Sequence, residues 1–283
     1  MAQKILVIGA AGFVGAPIAK QLQKDGFSVR ALVRSADKAR QLLGDQVELI
    51  VGDFGDKATL ETALAGVDGV NLSVPWQLES TVARAVTSIL AAQGRKQVRV
   101  TYISGTTAQP ENRWYPMIDE KLKAEEVLIK SGVAYTIFRP SWFMDALALF
   151  VRDGRATVFG KQKQPYYFLS LADFARTVSK AYQTEAAANK IYVINGPKAM
   201  LMSDALQQYC DAVHPGIKAA GMPIWLGNLL AAMMKSETMK DFVKMMAYFE
   251  KSPKVTPPNG VESILGAPKT TMEEWLKTQK QTK

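Results

Sequence analysis

The stretch that decides the fold stands near the front of the chain: Lys4-Ile5-Leu6-Val7-Ile8-Gly9-Ala10-Ala11-Gly12-Phe13-Val14-Gly15. An apolar run enters a turn with glycine at every third position, and an amphipathic pattern predicts a helix over 14–24 that begins inside it. Glycine lets a backbone come close to a neighbour without a Cβ in the way. The first turn of a helix offers unpaired N–H groups and the positive end of the helix dipole. Strand, glycine turn and helix in this order make a cradle for a diphosphate. The spacing is G-x-x-G-x-x-G rather than G-x-G-x-x-G, so its weight comes from this context.

Working outward, short apolar runs predict strands at 5–8, 29–33, 47–51, 69–72, 98–103 and 135–138. Helical patterns lie between them at 14–24, 36–43, 57–65, 78–92 and 118–131. Continuously apolar strands alternating with helices argue a parallel sheet covered on both faces. Right-handed crossovers then lead to an α/β, Rossmann-type doubly wound sheet. Gly26, Gly66, Gly94 and Gly132 fall where left-handed helix C-caps want glycine.

Beyond about Ser141 the alternation becomes irregular. A helix at 171–184 and a strand at 190–194 still belong with the sheet. The Met- and Trp-rich stretch 222–249 reads as one or two helices, its methionines either core filler or the pliable wall of an apolar pocket. Pro253, Pro257 and Pro258 mark a loop, and Thr271-x-x-Glu274 is a capping box for a last helix. The expected division is a dinucleotide-binding domain at 1–195 and a smaller, mostly helical C-terminal substrate lobe at 196–283, with 141–167 contributing to the pocket.

Composition narrows the function classes. With 283 residues, 48% apolar and 22% charged, the chain can bury a sizeable core in one or two domains. A single cysteine, Cys210, excludes an intrachain disulfide, and with one histidine, His214, a Cys/His zinc site lacks ligands. A Ser-His-Asp hydrolase would have to use His214, which precedes a proline in a polar stretch. No metal is expected. The net charge of +9 is spread among interleaved lysines and acids, densest at Arg95-Lys96 and Arg99. That suits solubility and attraction for phosphates, with no nucleic-acid partner. The apolar run 223–234 is too short to span a bilayer; the run 5–19 has the length of a signal-peptide core, but carries glycines at regular spacing, is followed by Lys20 and has no small-residue cleavage pattern. A cytoplasmic protein with a small-molecule substrate is expected, with a homodimer or a regulatory protein as further partners.

The second strand ends at Arg34-Ser35, with Lys38 one helical turn further, where an NAD-binding chain would carry an acid for the ribose hydroxyl. A guanidinium suits a 2′-phosphate, so the expected cofactor is NADP(H) in preference to NAD(H). Asp53 is placed for the adenine amino group with Phe54 against the ring, or else simply caps its loop. Gly9, Ala11, Gly12, Phe13, Val14 and Gly15 are the expected diphosphate contacts. Ligands lie outside the C-terminal ends of parallel strands. That adds Ser73, Val74 and Pro75 after the fourth strand, Ser104 to Thr106 after the fifth, and Pro140-Ser141-Trp142-Phe143 after the sixth. Pro140 and Phe143 are the expected contacts of this last group; Trp142 and Phe143 either flank the nicotinamide or pack between domains. Asp145 and Asp173 read as helix-end residues.

Together these residues resemble the atypical and extended short-chain dehydrogenase/reductases. The segments Tyr102-Ile-Ser104-Gly-Thr106 and Lys121-x-Lys-Ala-Glu125-Glu-x-Leu128, running into Ser131-Gly132-x-x-Tyr135-Thr136-x-x-Arg139-Pro140, look most like the NmrA-like and isoflavone-reductase-like NAD(P)-binding proteins. The resemblance covers residues 1–195 and 271–276 and is weak over 200–266. It implies that Lys121 holds the nicotinamide ribose and that Thr106, with Ser104 beside it, lies at the family's Ser/Thr position. The family's proton-donating tyrosine would fall at Met117, so the standard donor is missing; Tyr115 is a substitute two residues out of register. The resemblance thus implies an NADP(H)-dependent oxidoreductase acting on a small carbonyl, enone or quinone, with Lys121 as its cationic group. Its alternatives are a non-catalytic NADP(H)-sensing regulator and a sugar-nucleotide epimerase-like enzyme. By spacing alone Lys121 would pair with Glu125 across one helical turn.

Overall fold

The structure is a computed structural model that describes residues 2–251 and 260–280. In chain order it runs β1 (Lys4–Ile8), α1 (Gly15–Lys24), β2 (Ser28–Val33), α2 (Ala36–Leu43), β3 (Glu48–Val51), α3 (Lys57–Leu64) and β4 (Gly69–Leu72). There follow α4 (Glu79–Ala92), β5 (Arg99–Ile103), α5 (Pro116–Lys130), β6 (Tyr135–Pro140), β7 (Val151–Arg152), β8 (Arg155–Phe159), β9 (Tyr166–Tyr167) and α6 (Leu171–Gln183). The rest is β10 (Lys190–Ile194), β11 (Ala199–Met200), α7 (Met202–Val213), β12 (Ala219–Met222), α8 (Ile224–Met233), α9 (Glu237–Lys251), α10 (Val261–Leu265) and α11 (Met272–Lys280). The proline loop expected at 253–258 lies outside the described residues.

Of the described residues, 2–140, 171–194 and 260–267 form one compact unit, and 141–170, 195–251 and 268–280 another. The chain therefore crosses between units several times rather than once at residue 195. The first unit is built on a seven-stranded sheet in the order β10-β6-β5-β4-β1-β2-β3, every pair parallel. Strand order reverses between β1 and β4, which is the switch point where such sheets bind ligands. Its core of Leu6, Ile8, Leu32, Val70, Leu72, Val100, Tyr102 and Ile137 is closed by Leu60 and Leu64 of α3, Val82, Val86 and Leu90 of α4 and Leu128 of α5. Gly26, Gly66, Gly94 and Gly132 all take positive φ at the expected helix ends.

Polar groups are threaded through this sheet. Asn71 of β4 donates to Thr101 Oγ1 at 2.9 Å and accepts from Ser73 Oγ at 2.7 Å, while Thr101 Oγ1 lies 2.8 Å from the Tyr182 hydroxyl. Buried Arg30 of β2 donates to the carbonyls of Ala63 and Ala65 at 2.8 and 2.5 Å and pairs with Glu48 at 2.7 Å.

The second unit holds more strand than its sequence suggested. β7 and β8 form a hairpin closed by Asp153-Gly154, both at positive φ, the residues that a tight two-residue turn demands. β12 joins β8 in parallel, and β9 pairs β11 antiparallel. The 222–249 stretch is two helices. Met246 is buried in a core with Phe159, Tyr166, Leu206, Tyr209, Val243 and Trp275, whereas Met233 and Met234 are exposed with Trp225 and Leu229. Asp145 and Asp173 lie in first turns, of the 3₁₀ helix Met144–Phe150 and of α6. The Thr271–Glu274 capping box forms as expected, Thr271 N donating to Glu274 Oε2 at 2.8 Å and Glu274 N to Thr271 Oγ1 at 3.2 Å. No helix among the described residues is long and apolar enough to cross a membrane.

Candidate functional site

The glycine turn lies at the switch point. Gly9 leaves β1 at φ +84°, and a Cβ there would sit 2.0 Å from the Ser73 carbonyl oxygen. Gly12 N donates to Gly9 O at 2.9 Å, and a Cβ on Gly15 would meet that same oxygen at 2.2 Å. The loops after β1 and β4 thus touch backbone to backbone, bringing Gly9 and Ser73 together. At the head of α1, Val14 supplies no side-chain cap and the first turn has no acidic residue. Within it Ala16 N donates to Gly12 O at 3.1 Å and Ile18 N to Val14 O at 3.4 Å, and Pro17 has no N–H, which leaves the Gly15 amide for an external acceptor. Ala11 and Val14 are half-buried, and Gly12 and Phe13 are exposed along the same turn.

Arg34, just past β2, is exposed and makes no hydrogen bond or ion pair among the described residues. Ser35 begins α2 without a side-chain cap bond. Asp53 accepts from Gly55 N at 2.6 Å through Oδ1 and so caps its own loop, leaving Oδ2 for other work. Phe54 packs against the sheet core. Val74 is half-buried and Pro75 exposed beyond β4.

The end of β5 carries the chemistry. Ser104 N donates to Phe138 O at 2.7 Å, and Thr106 N to the Pro140 carbonyl at 3.2 Å, fixing the loop against β6. The Ser104 Oγ is buried and has no partner. Lys121 of α5 does not pair with Glu125; two charge-assisted bonds, 3.0 and 2.6 Å long, tie Glu125 to Arg139 instead. Lys121 Nζ donates to Glu79 Oε1 at 2.8 Å and to Ile103 O at 3.3 Å, and lies 5.9 Å from the Tyr102 ring centroid. The Tyr102 hydroxyl donates to Glu79 Oε2 at 2.7 Å. Burial pushes the Glu79 carboxyl up, with Lys121 and Tyr102 working against it, and holds the Tyr102 phenol well above its ordinary value.

Tyr115 precedes α5, its ring 6.1 Å from that of Trp114, and Met117 occupies the helix's first turn, half-buried. Ser141, Trp142 and Phe143 belong to the second unit. There Trp142 joins Phe150, Tyr166 and Phe249, with 4.8 Å between the Trp142 and Phe249 centroids, and Phe143 bridges to Leu169. Glu79 was not singled out in the sequence. An acid opening a helix reads as a partner for the helix dipole, and no spacing rule links it to a lysine 42 residues away.

A parallel sheet with a Cβ-free turn at its switch point, an exposed unpaired guanidinium past β2 and an orphaned hydroxyl past β5 has the make-up of a dinucleotide-binding α/β protein. The profile of a family described as NAD(P)H-binding matches residues 9–185, and the chain belongs to that family. It is 28% identical over 210 residues to the NAD(P)H azoreductase of Xenophilus azovorans, covering 69% of each chain. Quinone oxidoreductase 2 of Escherichia coli (strain K12) is 23% identical over 248 residues, 80% of this chain and 85% of that protein. The solved isoflavone reductase shares the fold at a TM-score of 0.71, with 19% identity and 98% and 99% of the two chains covered.

Proposed function

We propose that this protein is an NADPH-preferring oxidoreductase that reduces a small carbonyl, enone or quinone acceptor. The observation that carries the reading is the Lys121 ammonium bonded to the Ile103 carbonyl at the C-terminal end of β5, one residue before Ser104, whose buried hydroxyl is unsatisfied. The nicotinamide supplies the hydride; the protein's part is to orient it and to stabilise the charge that develops on the acceptor oxygen. Two of the three Lys121 N–H groups have protein partners, which leaves one for that oxygen. The first turn of α1 would hold the diphosphate, Ser73 and Val74 would flank the cofactor's path, and Arg34 would take the 2′-phosphate. The relatives' names, an azoreductase and a quinone reductase, fit an acceptor that takes up a hydride and a proton.

Mixing the protein with NADPH and a quinone panel should bleach the nicotinamide absorbance, and Lys121→Met should slow it at least tenfold. An unchanged rate in that variant would remove Lys121 from the chemistry. Arg34→Asp should weaken NADPH far more than NADH, whereas equal losses would move the 2′-phosphate elsewhere. One feature favours a second reading, a regulator that binds NADP(H) without turnover: by the family resemblance the tyrosine position falls at Met117. Tight cofactor binding with no consumption on any acceptor would select it.

A further inference from the structure

Glu79 is 5% exposed and commits both carboxylate oxygens, one to Lys121 and one to Tyr102. A buried ion pair is a poor source of stability, because desolvation offsets its attraction. The geometry accounts for its presence differently. Carboxylate, Ile103 carbonyl and Tyr102 ring surround the ammonium, so its last N–H direction is fixed. We propose that Glu79 is a positioning residue: its charged carboxylate holds the Lys121 ammonium in one orientation at the end of β5, aimed at the reacting oxygen of the acceptor. This rests on the reading of Lys121 given above.

The charged and titratable groups around this pair are few. α4 contributes Glu79 itself. α5 contributes Lys121 and Glu120, the latter accepting from Ser80 N at 2.9 Å and Ser80 Oγ at 2.6 Å. β5 contributes Tyr102, and Glu125 bears on Tyr102 while bound to Arg139 of β6. Burial makes Glu79 take up a proton above the ordinary carboxylate range. Once protonated it no longer opposes the ammonium with a charge, and Glu79→Gln reproduces that neutral state at every pH.

With NADPH and menadione as probes, the wild-type kcat should fall on the acid side as Glu79 is protonated. Glu79→Gln should show a flat acid side and a kcat at least tenfold lower at neutral pH, with its NADPH Kd within threefold of wild type. A purely structural role would reduce the folded fraction and leave the acid limb where it was. Glu79→Asp keeps the charge but retracts it by one methylene. It should keep the acid limb and lose at least fivefold in kcat. An acid limb that persists in folded Glu79→Gln overturns the proposal; so does a wild-type kcat in Glu79→Asp, the variant that decides if Glu79→Gln does not fold. A readout without turnover is the NMR signal of ¹³C-methylated Lys121, which should report the Glu79 titration in wild type and lose it in Glu79→Gln. A signal blind to that titration also refutes the proposal. Failure of the underlying reading looks different: Lys121→Met would then turn over like wild type, whatever Glu79 does.

Discussion

At the scale of single residues, the site is made of groups that the fold leaves unsatisfied or cannot replace. Gly9 is the clearest case. Alanine there would carry a left-handed backbone, costing about 1–2 kcal/mol, and its Cβ would meet the Ser73 carbonyl at 2.0 Å. Gly9→Ala should therefore lower the melting temperature and weaken NADPH more than tenfold by calorimetry. Gly26→Ala, also at positive φ but with open space around it, should cost only the backbone strain and leave NADPH binding alone. Ser104 gives the opposite signature. Its Oγ is buried without a partner, and removing an unsatisfied polar atom is neutral or stabilising by up to about 1 kcal/mol. Ser104→Ala should hold or raise the melting temperature of the ligand-free protein while lowering kcat/KM. A lower melting temperature would show that the hydroxyl has a structural partner.

Among elements, the sheet of the first unit was legible because strand and helix patterns alternate with glycine at the helix ends, and the seven expected strands and six expected helices of this layer formed within two residues of their limits. What escaped were interactions between distant elements. Arg30 interrupts an apolar strand yet is buried, because its guanidinium reaches carbonyls at the end of α3 and Glu48 on the neighbouring strand. Alternation along one strand carries no trace of such partners. The strands of the second unit escaped for a related reason: they are two to five residues long, and β12 pairs with β8 across a long interval of sequence. Only the Asp153-Gly154 turn signalled them locally. The Arg30 clamp makes a prediction at this scale. Arg30→Met leaves two carbonyls without their donor and Glu48 with Lys4 Nζ alone, 3.0 Å away, and should cost about 2–3 kcal/mol in denaturant unfolding. The Arg30 bond lowers the Glu48 carboxyl, so its folded value lies below its unfolded one. This stabilisation is present above the unfolded value and is lost as pH falls through the folded one. The acid-side decline in stability should therefore be shallower in Arg30→Met than in wild type, and parallel declines would show that Glu48 does not draw on Arg30.

For the whole molecule, the net charge of +9 is the property that no single element carries. Strands, caps and the glycine turn would form equally well at neutral charge, since net charge bears on association and solubility rather than on fold. Its consequence falls on the ligand, because a phosphate-rich dinucleotide approaches an excess of positive charge. Long-range attraction of this kind fades as the Debye length shrinks from about 30 Å at 0.01 M salt to about 8 Å at 0.15 M. The exposed, unpaired Arg34 adds a local term to that field. Stopped-flow association of NADPH should therefore slow severalfold over that salt range, with dissociation changing less, because short bonds from the turn amides are screened least. NADH, lacking the 2′-phosphate, should show a shallower dependence, and Arg34→Asp should bring the NADPH slope down toward that of NADH. A salt-independent association rate would mean that the cofactor is captured by contact alone, and that the lysines spread over the surface serve solubility and nothing more.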